Sequence, residues 1–454
     1  MQYWYGSWII LCKTIGDEME RIREWKKQIK IVVGLFLFCL VSAITNAVHI
    51  NDRYIHLVEI LVVLVFTVGF FALAKANEIS RSIVFLLVLG YIVRFVYMLL
   101  SFNSGLEAVM PYGYADGPIF FERAKEMYLT GNSTYYTWYV YVVLGIFQVF
   151  GLSRMIAQYL NIVCYLVASL VLVEIFKKLE IEEKWKRVGI ALFSFFPNYI
   201  FISSLLMRES LIILLVLLSF WLFLCWKEKG EIKPAVGVVL VLLPACIMHS
   251  GCFILVIGYI FAFLFYNREQ KRCCITKRTC WGLGIATVIF IILWFSPMHN
   301  VLFAYFYKEL DWRGIAHLIE SRNHQIAGAN YLTHQEINGP WDLLIYLPLR
   351  MLYFQISPMP WDWRGITDGI AFIIDSGTYI VALFCVISML IKKKKDRIIP
   401  GLIGLQMILF AAMHGWGVMN AGTAMRHRCK LLGLAVIAIV YYLQNRKLLE
   451  NEQG

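Results

Sequence analysis

Residues 209–226 read ESLIILLVLLSFWLFLCW, an apolar run whose charged residue is Glu209 at its start. A helix needs about 20 apolar residues to cross the hydrocarbon core of a bilayer. Comparable runs recur at 31–49, 55–75, 82–102, 156–176, 187–203, 279–296, 368–391 and 398–414. The longer stretch 235–267, which His249 interrupts, is predicted to form two helices, and a short run follows at 429–443. The pattern predicts an all-α polytopic membrane protein with about 12 transmembrane helices.

The composition excludes a soluble protein. Of the 454 residues, 60% are hydrophobic and 16% are charged, against roughly 45–50% and about 25% in soluble domains. Disordered, coiled-coil and disulfide-rich secreted chains are excluded by the same composition. The net charge of +12 comes mainly from short basic loops between the apolar runs, as is typical of cytoplasmic loops. The basic balance therefore indicates topology, and we expect no nucleic-acid partner.

The basic loops also orient the chain. Residues 1–30 are predicted to be a cytoplasmic segment, 31–443 one transmembrane domain and 444–454 a cytoplasmic tail. Three crossings place the loop 103–135 outside, and the loops 297–341 and 358–367 fall on the same side. This count requires that the short aromatic segments 136–151 and 342–357 lie at the interface or re-enter without crossing. We expect a multi-pass protein of the plasma membrane, namely the bacterial cytoplasmic membrane.

Asp116 lies between two glycines in the string GYADGPIFFERAKEMY, residues 113–128. After it, apolar residues at helical spacing alternate with charged ones, which predicts an amphipathic helix at the external interface. An acid at that position can act as a general base toward an incoming hydroxyl. It can equally cap the helix, because Asp is a preferred N-cap residue. The residue pattern favours neither interpretation.

Two further candidates lie at predicted external helix junctions. Arg208 and Glu209 meet where two apolar runs join, so the arginine can grip a phosphate while the glutamate orients another group. The alternative is an ion pair that ends one helix and begins the next. His249 lies at the turn within 235–267, and a lone histidine is more often structural than a ligand.

Trp361, Asp362 and Arg364 occur together in the string YFQISPMPWDWRGITD. Aromatic rings beside a carboxylate and a guanidinium suit a sugar, whose apolar face stacks on rings while its hydroxyls take charged hydrogen bonds. Tryptophans of the membrane interface are the alternative.

Arg426 and Arg428 precede the last apolar run, on the side that the crossing count places outside. A basic cluster there contradicts the usual inside bias. An anionic lipid headgroup or a pyrophosphate at the external leaflet would account for it. A miscounted crossing is the alternative.

Together these features resemble a known family. The acidic external loop, the string VFGLSRMIAQYLNIV at 149–163 and the late Arg426-x-Arg428 pattern are similar to multispanning glycosyltransferases of the GT-C superfamily. The bacterial branch of protein mannosyltransferases and aminoarabinose transferases is the most similar in layout. Its members transfer a sugar from a polyprenyl-phosphate or polyprenyl-pyrophosphate carrier to an acceptor on the external face.

The resemblance implies that Asp116 is the catalytic base. Members often carry a second acid beside the first; Gly117 occupies that position here, and Glu122 is the nearby acid that could substitute. Arg208, Arg426 and Arg428 are the candidates for gripping the carrier phosphate. The implied partners are a polyprenyl-linked sugar donor, membrane lipid and an envelope glycan, lipid or protein as acceptor.

The sequence contains neither GxxxxGK[ST] nor a GxGxxG after a strand, so no nucleotide cofactor is expected. No metal site is predicted, although the need for a divalent metal is left open. Two other functions also stay open. A polysaccharide polymerase or O-antigen-ligase-like enzyme would use polyprenyl-pyrophosphate-linked glycans, whereas a lipid-carrier or polysaccharide transporter would place charges near the midplane. In this sequence, Arg94 is the clear example of a charge near the centre of a predicted span.

Overall fold

A computed structural model describes residues 55–113, 116–132, 137–295, 312–323, 329–333, 335–392 and 396–451. Within these ranges the protein is built of α-helices, which confirms the predicted class. In chain order they are α1 (Ile55–Ala76), α2 (Arg81–Leu100), α3 (Ser104–Val109), α4 (Asp116–Thr130), α5 (Trp138–Phe150), α6 (Arg154–Lys178), α7 (Glu183–Ser194), α8 (Pro197–Ser204), α9 (Glu209–Lys229), α10 (Ile232–Met248), α11 (Phe253–Phe265), α12 (Lys277–Phe295), α13 (Trp312–Asn323), α14 (Pro340–Ile356), α15 (Ile366–Ala371), α16 (Gly377–Lys392), α17 (Ile398–Gly417), α18 (Ala421–Arg428) and α19 (Leu432–Asn451). A short antiparallel pair, β1 (Tyr266–Asn267) and β2 (Arg272–Cys273), follows α11.

Six helical stretches of the described chain are long and apolar enough to cross a membrane. They are α1, α2, α6, α9, α17 and the continuous stretch Ile366–Lys392, in which a π-helical turn joins α15 to α16. Each coincides with a predicted crossing, and together they mark a membrane protein. The predicted first crossing at 31–49 and the N-terminal segment lie outside the described residues, and the count of 12 remains a prediction.

The structure confirms one predicted division of an apolar run into two helices and adds one that was not predicted. The stretch 235–267 does divide at His249, between α10 and a 3₁₀ turn that leads into α11. The run 187–203 is predicted to be one helix, but the structure divides it: α7 ends at Ser194 and α8 begins at Pro197. The reason is local, because the residue before a proline is disfavoured in the α conformation and Phe196 is extended.

The membrane-length helices divide into an inner and an outer group. In α6, α9 and α17, 61–67% of the apolar window is buried inside the protein, against 17% in α1 and 28% in α2. The outer helices instead display large apolar side chains, such as Leu64 and Phe85. An apolar surface of this kind is a liability in water and suits contact with lipid.

Basic loops gather at one end of the helices. Lys227 Nζ lies 2.8 Å from Asp396, and Arg268 Nε donates to the Lys227 carbonyl oxygen over 2.9 Å. Lys178 pairs with Glu228 at 2.7 Å. Helix α9 ends near these basic loops, and α17 begins there. The start of α9 and the end of α17 therefore lie at the opposite end of the helices.

Arg94 is fully buried within α2. Its guanidinium donates to the Ser203 hydroxyl and the Ser194 carbonyl oxygen, both over 2.7 Å, and lies 3.6 Å from the centroid of the Tyr165 ring. Protein groups thus compensate for the charge, and they tie α2 to α6, α7 and α8.

Candidate active site

Helix α4 begins at Asp116, where the sequence predicts an amphipathic helix. Its buried face consists of Gly117, Phe120, Ala124 and Met127, spaced three to four residues apart. A Cβ atom at Gly117 would lie only 3.1 Å from the Leu206 carbonyl oxygen, so the backbone of α4 packs directly on the segment before α9. This close approach brings Asp116 next to the start of α9.

Arg208 and Glu209 form the start of α9, as N-cap and first residue. A carboxylate in the first turn is stabilised by the helix dipole. Arg208 Nη1 donates to the Met248 carbonyl oxygen over 3.1 Å, which anchors this arginine to the end of α10. Arg208 Nη2 lies 3.8 Å from Asp116 Oδ2.

Helix α18 and the turn after it add two more cations. Arg426 Nη1 lies 3.1 Å from Asp116 Oδ2, and its Nε lies 3.5 Å from Glu209 Oε1. Lys430 Nζ lies 3.8 Å from the same Glu209 oxygen. Asp116, Arg208, Glu209, Arg426 and Lys430 therefore form one group, which we call the charge cluster.

The two carboxylates of the charge cluster differ in access. The side chain of Asp116 is 26% exposed, whereas those of Glu209 and Lys430 are 0% exposed. A ligand can therefore reach Asp116, and Glu209 serves as a buried counter-ion. Three cations and two carboxylates leave a formal charge of +1. Nε of Arg208 and of Arg426 is buried, makes no hydrogen bond in the described part of the chain and faces Glu209 Oε1 at 4.0 and 3.5 Å, so both arginines are held by this carboxylate.

Three histidines lie against the charge cluster. The rings of His249 and His427 are 4.8 Å apart between centroids, and His414 lies 5.3 Å from His249 and 5.1 Å from His427. Burial, followed by the nearby Lys430 charge, lowers the pKa of His249 and of His427 well below the usual range. Both causes favour the neutral ring, the form that binds a metal, and of the described residues this trio is the group placed to hold a metal ion.

A polar pocket of about 170 Å³ lies at the start of α18, whereas Arg426 of the charge cluster lies near the end of that helix. It is lined by Ala329, Asn330, Tyr331, Pro358, Asp362, Arg364, Asp368 and Ala421. Burial raises the pKa of the Asp362 carboxyl, and its Oδ2 has no hydrogen-bond partner within the described ranges. Arg364 makes two hydrogen bonds of 2.9 Å to Asp368. Trp361 lies 72% exposed beside this pocket and donates to the Tyr353 hydroxyl.

Two predicted site residues lie apart from the charge cluster. Arg428 is fully buried, pairs with Asp375 and donates to the carbonyl oxygens of Phe354 and Ser357. Each of its three nitrogens is thus engaged by protein, which gives Arg428 a structural role in place of the predicted contact with a carrier phosphate. Glu122 is 66% exposed and lies 3.8 Å from Lys125 on the surface of α4, so it does not stand in for a second acid beside Asp116.

Sequence reasoning missed Lys430 and His414 as site residues. Lys430 follows Arg426 by four residues, a spacing that places two side chains on one helix face and could have indicated it. His414 is a titratable residue near the end of a predicted span, which is itself a sign of function. His427 lies between Arg426 and Arg428, and in the sequence it indicates only part of a basic cluster.

The charge cluster combines two capacities. An accessible carboxylate can accept a proton, and the two partly exposed guanidinium groups beside it can bind a phosphate. Comparisons with protein-family models, with curated proteins and with solved structures find no match for this chain.

Proposed function

We propose that the protein is a GT-C-type glycosyltransferase that transfers a sugar from a polyprenyl-phosphate-linked donor to an envelope acceptor at the external face of the bacterial plasma membrane. The observation that carries this proposal is the meeting of Asp116 with Arg208 and Arg426. A base and a pair of phosphate-binding groups at one site are what transfer from a phosphate-linked sugar requires. The topology with about 12 crossings belongs to the proposal, because it puts this site outside.

In the proposed reaction, the donor phosphate takes over the guanidinium contacts that Asp116 makes with Arg208 and Arg426. The freed carboxylate accepts the proton of the acceptor hydroxyl while the hydroxyl oxygen bonds to the anomeric carbon. The bond between that carbon and the phosphate oxygen breaks, and the electron pair leaves with the polyprenyl phosphate. Arg208 and Arg426 stabilise the negative charge that develops there. The buried Glu209 carboxylate keeps Arg208 and Arg426 in place through its ion pairs with both.

The pocket at Asp362 is the proposed sugar site. It offers carboxylates, a guanidinium and an adjacent exposed indole, a combination that suits a sugar's hydroxyls and its apolar face. Ala421 lines this pocket and precedes Arg426 by five residues, about 7.5 Å along a helix axis.

Replacement of the base tests the chemistry. We expect Asp116→Asn to reduce transfer from polyprenyl-phosphate-linked hexoses in proteoliposomes by about 10²–10⁴-fold, the usual contribution of a general base. Glu122→Gln is the matched control, since it removes an exposed carboxylate from the same helix and should leave the rate unchanged. A wild-type rate in Asp116→Asn would remove Asp116 from the reaction.

Binding of the carrier tests the arginines separately. A hydrogen bond to a charged group contributes about 1.5–3 kcal/mol, so Arg426→Ala should weaken binding of polyprenyl phosphate by roughly 10–100-fold. Arg123→Ala, which removes an exposed arginine paired with Glu126 at 3.2 Å, is the control. Equal affinity in the two variants would contradict the phosphate-binding role.

Sidedness tests the topology. In a cysteine-free background, an impermeant maleimide should label a cysteine at position 122 in intact cells and should label one at position 271 only after lysis. The reverse pattern would place the charge cluster in the cytoplasm and remove external transfer.

A polymerase or ligase that uses pyrophosphate-linked glycans is the second candidate. Residues 329–331 belong to the large loop, and they pair with the backbone at 419–421 beside the pocket. Arg350 is buried nearby, and its guanidinium has no hydrogen-bond partner in the described ranges. A further cation at this position would suit a donor with more negative charge than a monophosphate.

A further inference from the structure

Three imidazole rings come together from three separate elements. His249 lies in the turn after α10, His414 in the last turn of α17 and His427 in α18. One ring nitrogen from each lies within 4.8 Å of the other two. His414 and His427 are buried, and His249 is half-buried.

The tautomer of His414 is fixed by its surroundings. Its Nδ1 lies 3.0 Å from the Phe410 carbonyl oxygen, which can only accept, so Nδ1 carries the ring proton. Nε2 therefore holds a lone pair, and it is buried without a hydrogen-bond partner among the described groups. A backbone carbonyl that holds the outer N–H in this way is typical of metal-binding histidines.

The space in front of this nitrogen is kept open by Gly251, where a Cβ atom would lie 2.6 Å from His414 Nε2. His249 Nδ1 is likewise buried, with no hydrogen-bond partner in the described part of the protein. An unsatisfied buried polar atom costs stability, and two of them in one trio require an explanation.

We propose that His249, His414 and His427 bind one divalent transition-metal ion of the Zn²⁺ type. Imidazole nitrogens suit Zn²⁺, and three of them leave a fourth position for water or another ligand. With Zn–N bonds of about 2.0–2.1 Å, the ligand nitrogens of a tetrahedral ion lie roughly 3.4 Å apart, so the rings move together by at most about 1.4 Å on binding.

Lys430 Nζ lies 2.5 Å from His427 Nδ1, so Nε2 is the nitrogen of His427 that is left for the ion. The ion would join α17 to α18, the helix that carries Arg426, and it would add positive charge beside the charge cluster. This inference stands independently of the proposed glycosyl transfer.

Metal content tests the site directly. Full-length protein, equilibrated with Zn²⁺ and then desalted, should hold about one ion per chain by elemental analysis, and Co²⁺ should give the intense visible absorption of a tetrahedral site. His414→Ala should reduce the bound metal to about a tenth or less. His56→Ala, which removes an 82% exposed histidine from α1, is the matched control and should retain the ion.

A second variant distinguishes loss of the metal site from loss of folding in His414→Ala. Gly251→Ala keeps all three ligands but fills the space before Nε2, and it should lower Zn²⁺ affinity by at least about tenfold, a typical loss for a disturbed outer shell. Wild-type protein that holds less than about a tenth of an ion per chain, or His414→Ala that holds as much as wild type, would overturn the site. Asp116→Asn should retain the metal even while transfer is lost, so the two proposals fail separately.

Discussion

Replacing Glu209 by glutamine removes the buried negative charge from the centre of the charge cluster. The Glu209 carboxylate lies 3.5 Å from Arg426, 3.8 Å from Lys430 and 4.0 Å from Arg208. Its side chain is 0% exposed, so water does not screen these contacts. Glutamine has nearly the same volume, and the change therefore isolates the charge from the packing.

The magnitude follows from what remains after the change. The formal charge of the charge cluster rises from +1 to +2, with Asp116 as the sole carboxylate and with Lys430 still fully buried. Removing one partner of a buried ion pair costs about 3–5 kcal/mol, because the other charge is left uncompensated. We expect Glu209→Gln to lower the free energy of unfolding by that amount. The double variant Glu209→Gln/Lys430→Met should recover part of the loss, because it also removes the uncompensated ammonium.

The measurement is denaturant titration of the protein in mixed micelles, followed by tryptophan fluorescence. Glu122→Gln removes an exposed carboxylate and should change the free energy of unfolding by no more than about 0.5 kcal/mol. If Glu209→Gln behaved like this control, Glu209 would not be the counter-ion of the charge cluster. If the double variant were less stable than Glu209→Gln, Lys430 would not be the charge that Glu209 compensates.

Two further substitutions probe the close approach at α4 and the role of Arg428. Gly117→Val should push α4 away from the Leu206 carbonyl oxygen, which lies 3.1 Å from the Cβ position at Gly117, and it should reduce transfer at least tenfold. The control Gly145→Val has open space around the new side chain and should leave the rate unchanged. Equal rates in the two variants would contradict a positioning role for the contact at Gly117. Arg428→Gln should lower the free energy of unfolding by about 3–5 kcal/mol, because Asp375 is left buried without its counter-ion. In the fraction that stays folded, carrier affinity should match wild type, and a selective loss of affinity would return Arg428 to the binding site.

The amino-acid sequence by itself determined the class of the protein. Apolar runs near 20 residues predict membrane-length helices because the thickness of a bilayer sets their length, and this requires no knowledge of contacts. The helix after Asp116 was predictable for a similar reason, since its apolar spacing is a local property of the chain. The break at Pro197 is local as well, but the apolar content of 187–203 obscured it.

Only the tertiary structure decided which polar residues meet. Arg426 and Arg428 look equivalent in the sequence, but positions two apart on a helix face nearly opposite directions; one therefore joins Asp116 and the other is buried against Asp375. Lys430, four residues after Arg426, returns to the first face and reaches Glu209. The histidine trio depends on three helix ends packing together. Such contacts link distant parts of the chain, so neither periodicity nor composition encodes them.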